Sequence, residues 1–348
     1  MSQLGIFGGD PVVRLENPTL EEMRGEVREV LLLGGFSHLA ETVAELTLPS
    51  IRLLPTVNEG GGLPLGASKF GGQPDLPAGF EWPYTRADLL LGGFSDLNDL
   101  NSEFEYTARG IRYPLAFVAQ LNLAEFAHLD LAHQLPEEGI LYFFFDHMWY
   151  YEAIEGEEYR SWITLYHPSS HVDGVNRLPY PNDLQTKSRF KERALGVRLE
   201  TSLPSYSKYD QGLVKRFAMP DLRFTDDEYD SYRHLREIYA EVDEEEGSPT
   251  PIHRLLGYPE PVQGNMQLDC QLGSHGILDW EDPRVESLAT GATDWRLLLQ
   301  IDTDLPDQFI SGQDEFLWGD CGRLYFWIRK QDLRDRNFDQ IWMILQCH

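Results

Sequence analysis

Two parts of the chain repeat one order of apolar and polar positions. Leu115-Ala116-Phe117-Val118-Ala119-Gln120 and Trp295-Arg296-Leu297-Leu298-Leu299-Gln300 are apolar runs that end in a glutamine. Each is followed by an aromatic run that opens on glycine, Gly139-Ile140-Leu141-Tyr142-Phe143-Phe144 and Gly322-Arg323-Leu324-Tyr325-Phe326-Trp327. Ahead of them stand Ser68-Lys69-Phe70-Gly71-Gly72-Gln73-Pro74-Asp75-Leu76-Pro77 and a looser echo, His253-Arg254-Leu255-Leu256-Gly257-Tyr258-Pro259. The offsets, 180 to 185 residues, predict an internal duplication. Alternation with period two predicts strands. In the first, Leu115, Phe117, Ala119, Leu121 and Leu123 share one face, and Ala116, Val118, Gln120 and Asn122 the other. In the second, Trp295, Leu297, Leu299 and Ile301 oppose Arg296, Leu298, Gln300 and Asp302. Further strands are expected at Ser50–Leu54, Ile140–Phe145, Trp162–Tyr166, Val197–Glu200, Leu324–Ile328 and Ile341–Gln346.

Helical spacing appears at the N-terminus. Asn17-Pro18 reads as a cap followed by proline at the first helical position. Leu20, Met23, Val27, Val30 and Leu31 then share a face, and Gly34-Gly35 stops the helix. A second helix is expected over residues 37–46, a short one over 124–133 and another over 330–337. Thr225-Asp226-Asp227-Glu228 is a capping box, opening a helix whose Tyr229, Tyr232, Arg236, Tyr239 and Val242 face one way. These elements predict an α+β fold: an N-terminal helical cap (1–56), a first repeat (57–146), a connecting insertion with an acidic helix (147–252) and a second repeat (253–348). Residues 57–348 then form one duplicated body of two mainly antiparallel β-sheet halves.

Charge changes the picture more than composition does. With 29 basic and 57 acidic residues in 348, the net charge is −28. Such a chain repels a phosphate backbone, which argues against nucleic acid as a partner, and attracts a basic protein. The densest acidic run, Asp226 to Glu246, has ten acidic and two basic residues. Asp226, Asp227, Glu228, Asp230, Glu241, Asp243, Glu244, Glu245 and Glu246 are the candidate partner-binding residues; the plainer reading is a solvated helix face. No run approaches the ~20 apolar residues of a membrane span, the first residues lack a signal-peptide pattern, and a cytoplasmic protein is expected. Cys270, Cys321 and Cys347 are too few and too scattered for a disulfide framework or a zinc knuckle.

Motifs that carry chemistry are scarce. Asn58-Glu59-Gly60-Gly61-Gly62 lacks the lysine and the strand–helix context of a phosphate loop. Gly273-Ser274-His275-Gly276 has its serine in the wrong register for a nucleophile elbow. Cys270 or Cys321 with His253 or His275 would make a Cys–His pair, against the commoner role of cysteine as a small apolar residue. His167, His171 and Asp173 have ligand-like spacing, but Pro168 makes that stretch a loop, so no metal and no cofactor is called for. Gln120 and Gln300 are the notable polar positions. A buried amide must be hydrogen-bonded, so each either pins its strand to neighbouring backbone or converges with the other on a ligand. Lys69, His253 and Asp320 lie beside the same landmarks and complete the candidate ligand-binding set.

The ordered motifs Ser68-Lys69-Phe70-Gly71-Gly72-x-Pro with Trp82-Pro83, Phe117-x-Ala119-Gln120 and Gly139-x-Leu141-Tyr142-Phe143 resemble the YwqG-like family of domains of unknown function. His253-x-x-x-Gly257-Tyr258-Pro259, Trp295-x-Leu297-Leu298-Leu299-Gln300 and Gly319-Asp320 resemble its second half. The resemblance covers about residues 45–348. It implies a duplicated α+β fold and no established reaction. Three functions are therefore open: a non-catalytic binding protein that meets a basic partner through its acidic surface, a charge that an immunity or antitoxin type would fit; a small-molecule binder or enzyme using a cleft between the repeats; or a purely structural scaffold.

Overall fold

The computed structural model describes residues 17–57, 61–84, 113–147, 161–171, 173–205, 222, 224–240, 250–277, 279–304 and 316–348. The polar insertion at 86–111 and the segment 241–249 lie outside the described residues, as do most of 147–160.

Ten strands form a single antiparallel sheet. In chain order the strands are β1 (Leu48–Val57), β2 (Lys69–Phe70), β3 (Asp75–Pro77), β4 (Ala116–Asn122), β5 (Ile140–Phe145), β6 (Trp162–His167), β7 (Val175–Arg177), β8 (Arg193–Ser202), β9 (His253–Leu255), β10 (Trp295–Asp302), β11 (Arg323–Arg329) and β12 (Trp342–Gln346). The order across the large sheet is β12-β11-β10-β9-β1-β8-β2-β4-β5-β6, and β3 pairs with β7 in a small second sheet. The expected two sheet halves are thus one continuous sheet. Its middle is the ten-residue pairing of β1 with β8, from Leu48↔Ser202 to Val57↔Arg193. Residues 1–56 therefore supply more than a helical cap, because β1 lies at the centre of the sheet.

The two edges curl toward each other into a nearly closed barrel. At the seam the rings of Trp162 on β6 and Trp342 on β12 meet edge-on at 4.9 Å. Trp162 Nε1 donates to the Ile341 carbonyl at 3.0 Å. Tyr166 packs on Phe338 at 4.5 Å, and Phe143 reaches across to Phe326 at 4.8 Å. Closure by side chains protects two strand edges that would otherwise invite pairing with another chain.

Alternation sorts the central strands cleanly. On β1 and β8, Ile51, Leu53, Leu195, Val197 and Leu199 join the inner core, while Arg52, Arg198 and Glu200 lie on the opposite face. On β4 strict alternation fails. A register shift between Phe117 and Ala119 places Ala116, Val118, Ala119 and Leu121 in the inner core and leaves Phe117 outside. The same irregularity falls between Leu297 and Leu299 on β10. A β-bulge adds one residue and breaks the period of two, which is why the expected face assignment does not hold along the whole strand.

Three covers lie on the outer face. Helices α1 (Leu20–Leu33), α2 (Ala40–Leu46) and α3 (Asp226–Tyr239) share a core built from Val27, Leu31, Val43, Leu235 and Tyr239. Helix α1 begins later than Asn17-Pro18 predicts: Thr19 is the cap, in a reciprocal box with Glu22, and Gly34 ends the helix. The expected box at Thr225 and Glu228 does open α3. The β3–β7 sheet covers Phe117, Tyr142 and Phe144. Helix α4 (Gln267–Gly273) flanks β10 and β12, and the short α5 (Val285–Leu288) packs on α4. Helix α6 (Lys330–Arg334) follows β11 and is shorter than expected.

The seam yields a test. Trp162→Ala and Trp342→Ala should each cost ~3–5 kcal/mol in urea unfolding. The double variant should lose less than the sum, with a coupling of at least ~0.5 kcal/mol. Additive losses would mean that the two rings do not close the barrel together.

Candidate functional site

The stretch Ser68 to Pro77 builds a buried ionic centre on the outer face of the sheet. Lys69 pairs with Gln120 across β2 and β4, and Gln120 with Tyr142 across β4 and β5. Lys69 and Asp75 both have fully buried side chains, 3.2 Å apart. Asp75 is saturated. It accepts from Arg177 Nε at 2.8 Å, from the Gly66 amide at 3.1 Å and from Gln120 Nε2 at 3.1 Å. Burial alone would raise its pKa; the Arg177 hydrogen bond, the Lys69 charge and Gln120 overcome this and hold it below the usual value. Burial also pushes the Lys69 ammonium down, against the pull of Asp75. Glu192 adds a second carboxylate 3.3 Å from Lys69.

Glycine makes this centre possible. Gly72 has φ 71°, and a Cβ there would come within 2.8 Å of Glu192 Cβ. At Gly71 (φ 59°) a Cβ would meet the Lys191 carbonyl at 2.4 Å. Only glycine lets β2 approach the start of β8 closely enough to place Glu192 on Lys69. Beside the cluster the Tyr142 hydroxyl is buried with no hydrogen-bond partner among the described residues, and burial, then the Asp75 charge, raises its pKa.

A second centre lies on the same face under the helical layer. Glu200 is buried between Arg254 Nη2 at 2.7 Å and Arg52 Nη1 at 3.6 Å. Arg254 also reaches Glu260 at 3.2 Å, and Arg236 of α3 turns inward to Glu260 at 2.5 Å. Arg52 donates to the Ala240 carbonyl at the end of α3. Burial opposes ionisation of Glu200, and the charges of Arg254 and Arg52 reverse that and lower its pKa.

The predicted ligand residues divide between these places. Gln120 accepts from the Asp75 amide at 2.8 Å and donates to the Ala67 carbonyl at 2.8 Å. Gln300 accepts from the Glu260 amide at 2.9 Å and donates to the Ile252 carbonyl at 2.7 Å. Each amide thus ties a loop to its strand, and the two share no partner. Lys69 joins Gln120 through Asp75. His253 does not join them: it is consecutive with Arg254, so it points to the opposite face, where it packs on Phe70 at 5.0 Å. Asp320 is exposed, and its carbonyl accepts from the His348 amide. The five residues therefore form no common pocket.

His253 holds its own linkage. Its Nδ1 accepts from the Asp302 amide at 3.1 Å, so that nitrogen carries no proton, and Nε2 lies 3.5 Å from Asp304. Arg193 pairs with the same Asp304 carboxylate. Burial pushes the His253 pKa down. Cys270 is fully buried and Cys321 exposed. His275 hydrogen-bonds the Gln271 carbonyl. Among the described residues no cluster of His, Cys, Asp or Glu could hold a metal ion, and no helix is long and apolar enough to cross a membrane.

Of the predicted partner residues, Asp226, Asp227, Glu228 and Asp230 lie in the first turns of α3. Asp230 is exposed, and Glu228 is half-buried and engaged in the cap. Glu241, Asp243, Glu244, Glu245 and Glu246 lie outside the described residues. Residues that sequence reasoning missed are Arg177, Glu192, Glu200 and Glu260. Their partners are distant, with 102 positions between Arg177 and Asp75 and 123 between Glu192 and Lys69. The available signal was a charged residue inside an otherwise apolar strand, as at Arg52, Arg254 and Glu200.

Both centres are largely closed to solvent; in the second, Glu260 is 17% exposed and Glu200 fully buried. Only Glu192 and Arg177 reach solvent from the first, at 21% and 26% side-chain exposure. What the centres do is hold loops 63–77 and 256–263 and helix α3 against the sheet. Over residues 68–347 the chain matches a domain of unknown function, DUF1963. It belongs to that family. The match begins at the Lys69 motif and leaves α1, α2 and β1 outside it. No curated protein matches the chain. The DUF1963 description carries no reaction, so chemistry must be argued from the residues.

Two measurements follow. Asp75→Ala strands the buried Lys69 with Glu192 alone and should cost ~3–5 kcal/mol, whereas Lys69→Met leaves Asp75 paired with Arg177 and should cost less than half of that. Equal losses in urea unfolding would contradict this ordering. The second concerns pH. A histidine whose pKa is depressed on folding is protonated first in the unfolded chain, so stability is complete above about 6.5 and falls as pH drops through that value. His253 acts in this direction, as does His147, which burial pushes down to about 4. The depressed carboxylates Asp75 and Glu200 remain ionised in that window. His253→Asn, whose Oδ1 replaces Nδ1 as acceptor, should show a smaller fall in melting temperature from pH 7 to pH 5 than the parent chain.

Proposed function

We propose that this DUF1963 protein is a non-catalytic binding protein that meets a basic protein partner through its acidic helical layer. The observation that carries the reading is the way charge is sorted in that layer. Helices α1, α2 and α3 contain eleven acidic and four basic residues. Three of the four arginines are occupied: Arg28 with Glu41, Arg233 with Glu237, and Arg236 turned inward to Glu260. The exposed Glu21, Glu29, Glu45 and Asp230 are left to set the field outside. The basic side chains of the ionic centres are likewise spent inside the fold, so the acidic excess of a chain at −28 lies at its surface. Such a field speeds encounter with a basic partner and repels acidic ones. The acidic run continues from α3 through Glu241, Asp243, Glu244, Glu245 and Glu246. Leu32 and Leu33, 51% and 74% exposed at the end of α1, add an apolar contact to the helical layer.

The finer family reading, YwqG-like with an internal duplication, belongs to the same proposal. It is supported by the matched bulges at Phe117/Ala119 and Leu297/Leu299 and by the matched glutamine hydrogen bonds. An immunity or antitoxin role fits the charge.

The test is purification from the producing cells at low salt, followed by native mass spectrometry. A basic protein should accompany the chain at ~50 mM salt and dissociate near 0.5 M, where screening shortens to a few ångströms. It should also be lost from a variant carrying Asp230→Lys with Glu241, Glu244, Glu245 and Glu246 changed to Gln. A bare chain at low salt, or a companion indifferent to both salt and the variant, would overturn the reading.

A further inference from the structure

An open groove of about 410 Å³ lies away from the ionic centres and the acidic layer, between the end of α4, the 3-10 turn Ala289–Asp294 and the corner where β11 enters α6. Its walls are wholly polar apart from Gly291.

Two side chains in it are locked by their neighbours. The Arg329 guanidinium sits over the Trp295 ring at 4.4 Å, donates to Ser274 Oγ at 2.7 Å and lies 3.9 Å from Asp332. Gln271 is 6% exposed. Its Oε1 accepts from Trp295 Nε1 at 3.0 Å and from Arg329 at 3.4 Å. An indole N–H only donates, so this contact fixes which way the amide faces. Gln271 Nε2 therefore points the other way, against Gly291, where a Cβ would come within 2.3 Å of it. It has no acceptor among the described residues. Because Gln271 lines the groove, this N–H is open to it, and a ligand oxygen there would replace water as its acceptor.

His275 supplies the complementary group. Its Nδ1 lies 2.7 Å from the Gln271 carbonyl, which can only accept. The proton is therefore on Nδ1, and Nε2 of the exposed ring is an acceptor. The groove thus offers a fixed donor and a fixed acceptor, flanked by the carboxylates of Asp294 and Asp332 and the Asn337 amide.

We infer that this groove binds a neutral polyhydroxylated ligand of mono- or disaccharide size. A hydroxyl both donates and accepts, so one ligand group type satisfies Gln271 and His275 together. Charge of both signs lines the groove and is largely matched within it, Arg329 with Asp332 at 3.9 Å and Asp294 beside Arg296 and Lys330, so no field of one sign selects an anion or a cation. The lack of apolar wall excludes a lipid or an aromatic ligand, and the volume lies at the small end of ligand pockets, about 300–1,000 Å³.

The experiment is saturation-transfer NMR on the full chain with a panel of neutral sugars: glucose, galactose, mannose, xylose, N-acetylglucosamine, maltose and cellobiose. Lysine and glutamate serve as charged controls. At about 10 mM, a Kd near 1 mM gives clear occupancy. At least one sugar should give transfer to its ring protons. Gln271→Glu keeps the acceptor for Trp295 and removes the donor, and should weaken binding at least about tenfold. Gly291→Ala should do the same by displacing the amide. His275→Ala, at an exposed position that leaves the fold intact, should weaken it several-fold. Absence of transfer from every sugar, binding of the charged controls alone, or sugar binding unchanged in both Gln271→Glu and His275→Ala would overturn the inference.

Discussion

Everything in this fold depends on closing a ten-strand antiparallel sheet around an aromatic interior. A twisted sheet of this width curls, and its two free edges must be covered or joined. Here the joint is made by Trp162 against Trp342 and by Tyr166 against Phe338, with Phe143 and Phe326 meeting inside. Because the interior is filled with large rings, most polar side chains of the central strands are turned to the other face; His253 and Arg193 are exceptions, packed on Phe70 and Phe316 and paired with Asp304.

That displacement explains the ionic centres. Lys69, Arg52, Glu200, Arg254, Gln120 and Gln300 stand outside the barrel but beneath covering loops and helices, so they are buried a second time. Removing a charge from water is costly unless it is paired and hydrogen-bonded. The chain meets this condition by clustering: Asp75 has four donors, and Glu200 lies between two guanidiniums. Each cluster binds elements far apart in sequence, which makes the covers part of the cooperative fold. The polar groove differs in kind. Its Gln271 and His275 are oriented by neighbours, yet each keeps one hydrogen-bonding atom unused toward solvent, which is the property expected of a recognition surface.

Much of this was legible in the residues. Alternation located β1, β4, β5, β6 and β8 and the last three strands, and the Thr225–Glu228 capping box located α3. The Gly71-Gly72 motif marked a close approach of two backbones, which is the approach of β2 to β8. The glutamines were visible as anomalies in apolar strands, and a buried amide must be hydrogen-bonded, though its partners 40 to 53 residues away were not legible. The shared cleft was not realised, because one residue of shift in a strand reverses a side chain: His253 and Arg254 are neighbours in sequence and face opposite sides of the sheet.

By itself the sequence determined which segments would be strand or helix, where charge accumulates and that no familiar catalytic motif is present, because these follow from periodicity, capping chemistry and composition, all local properties. Only the tertiary structure decided that the strands form one sheet rather than two. It also decided that Arg177, Glu192 and Glu260 complete buried charge clusters, and that Gln271, His275 and Arg329 line one groove. Those outcomes rest on contacts between positions tens to more than a hundred residues apart. They are set by how the sheet curls and where its bulges fall, and no local pattern encodes either.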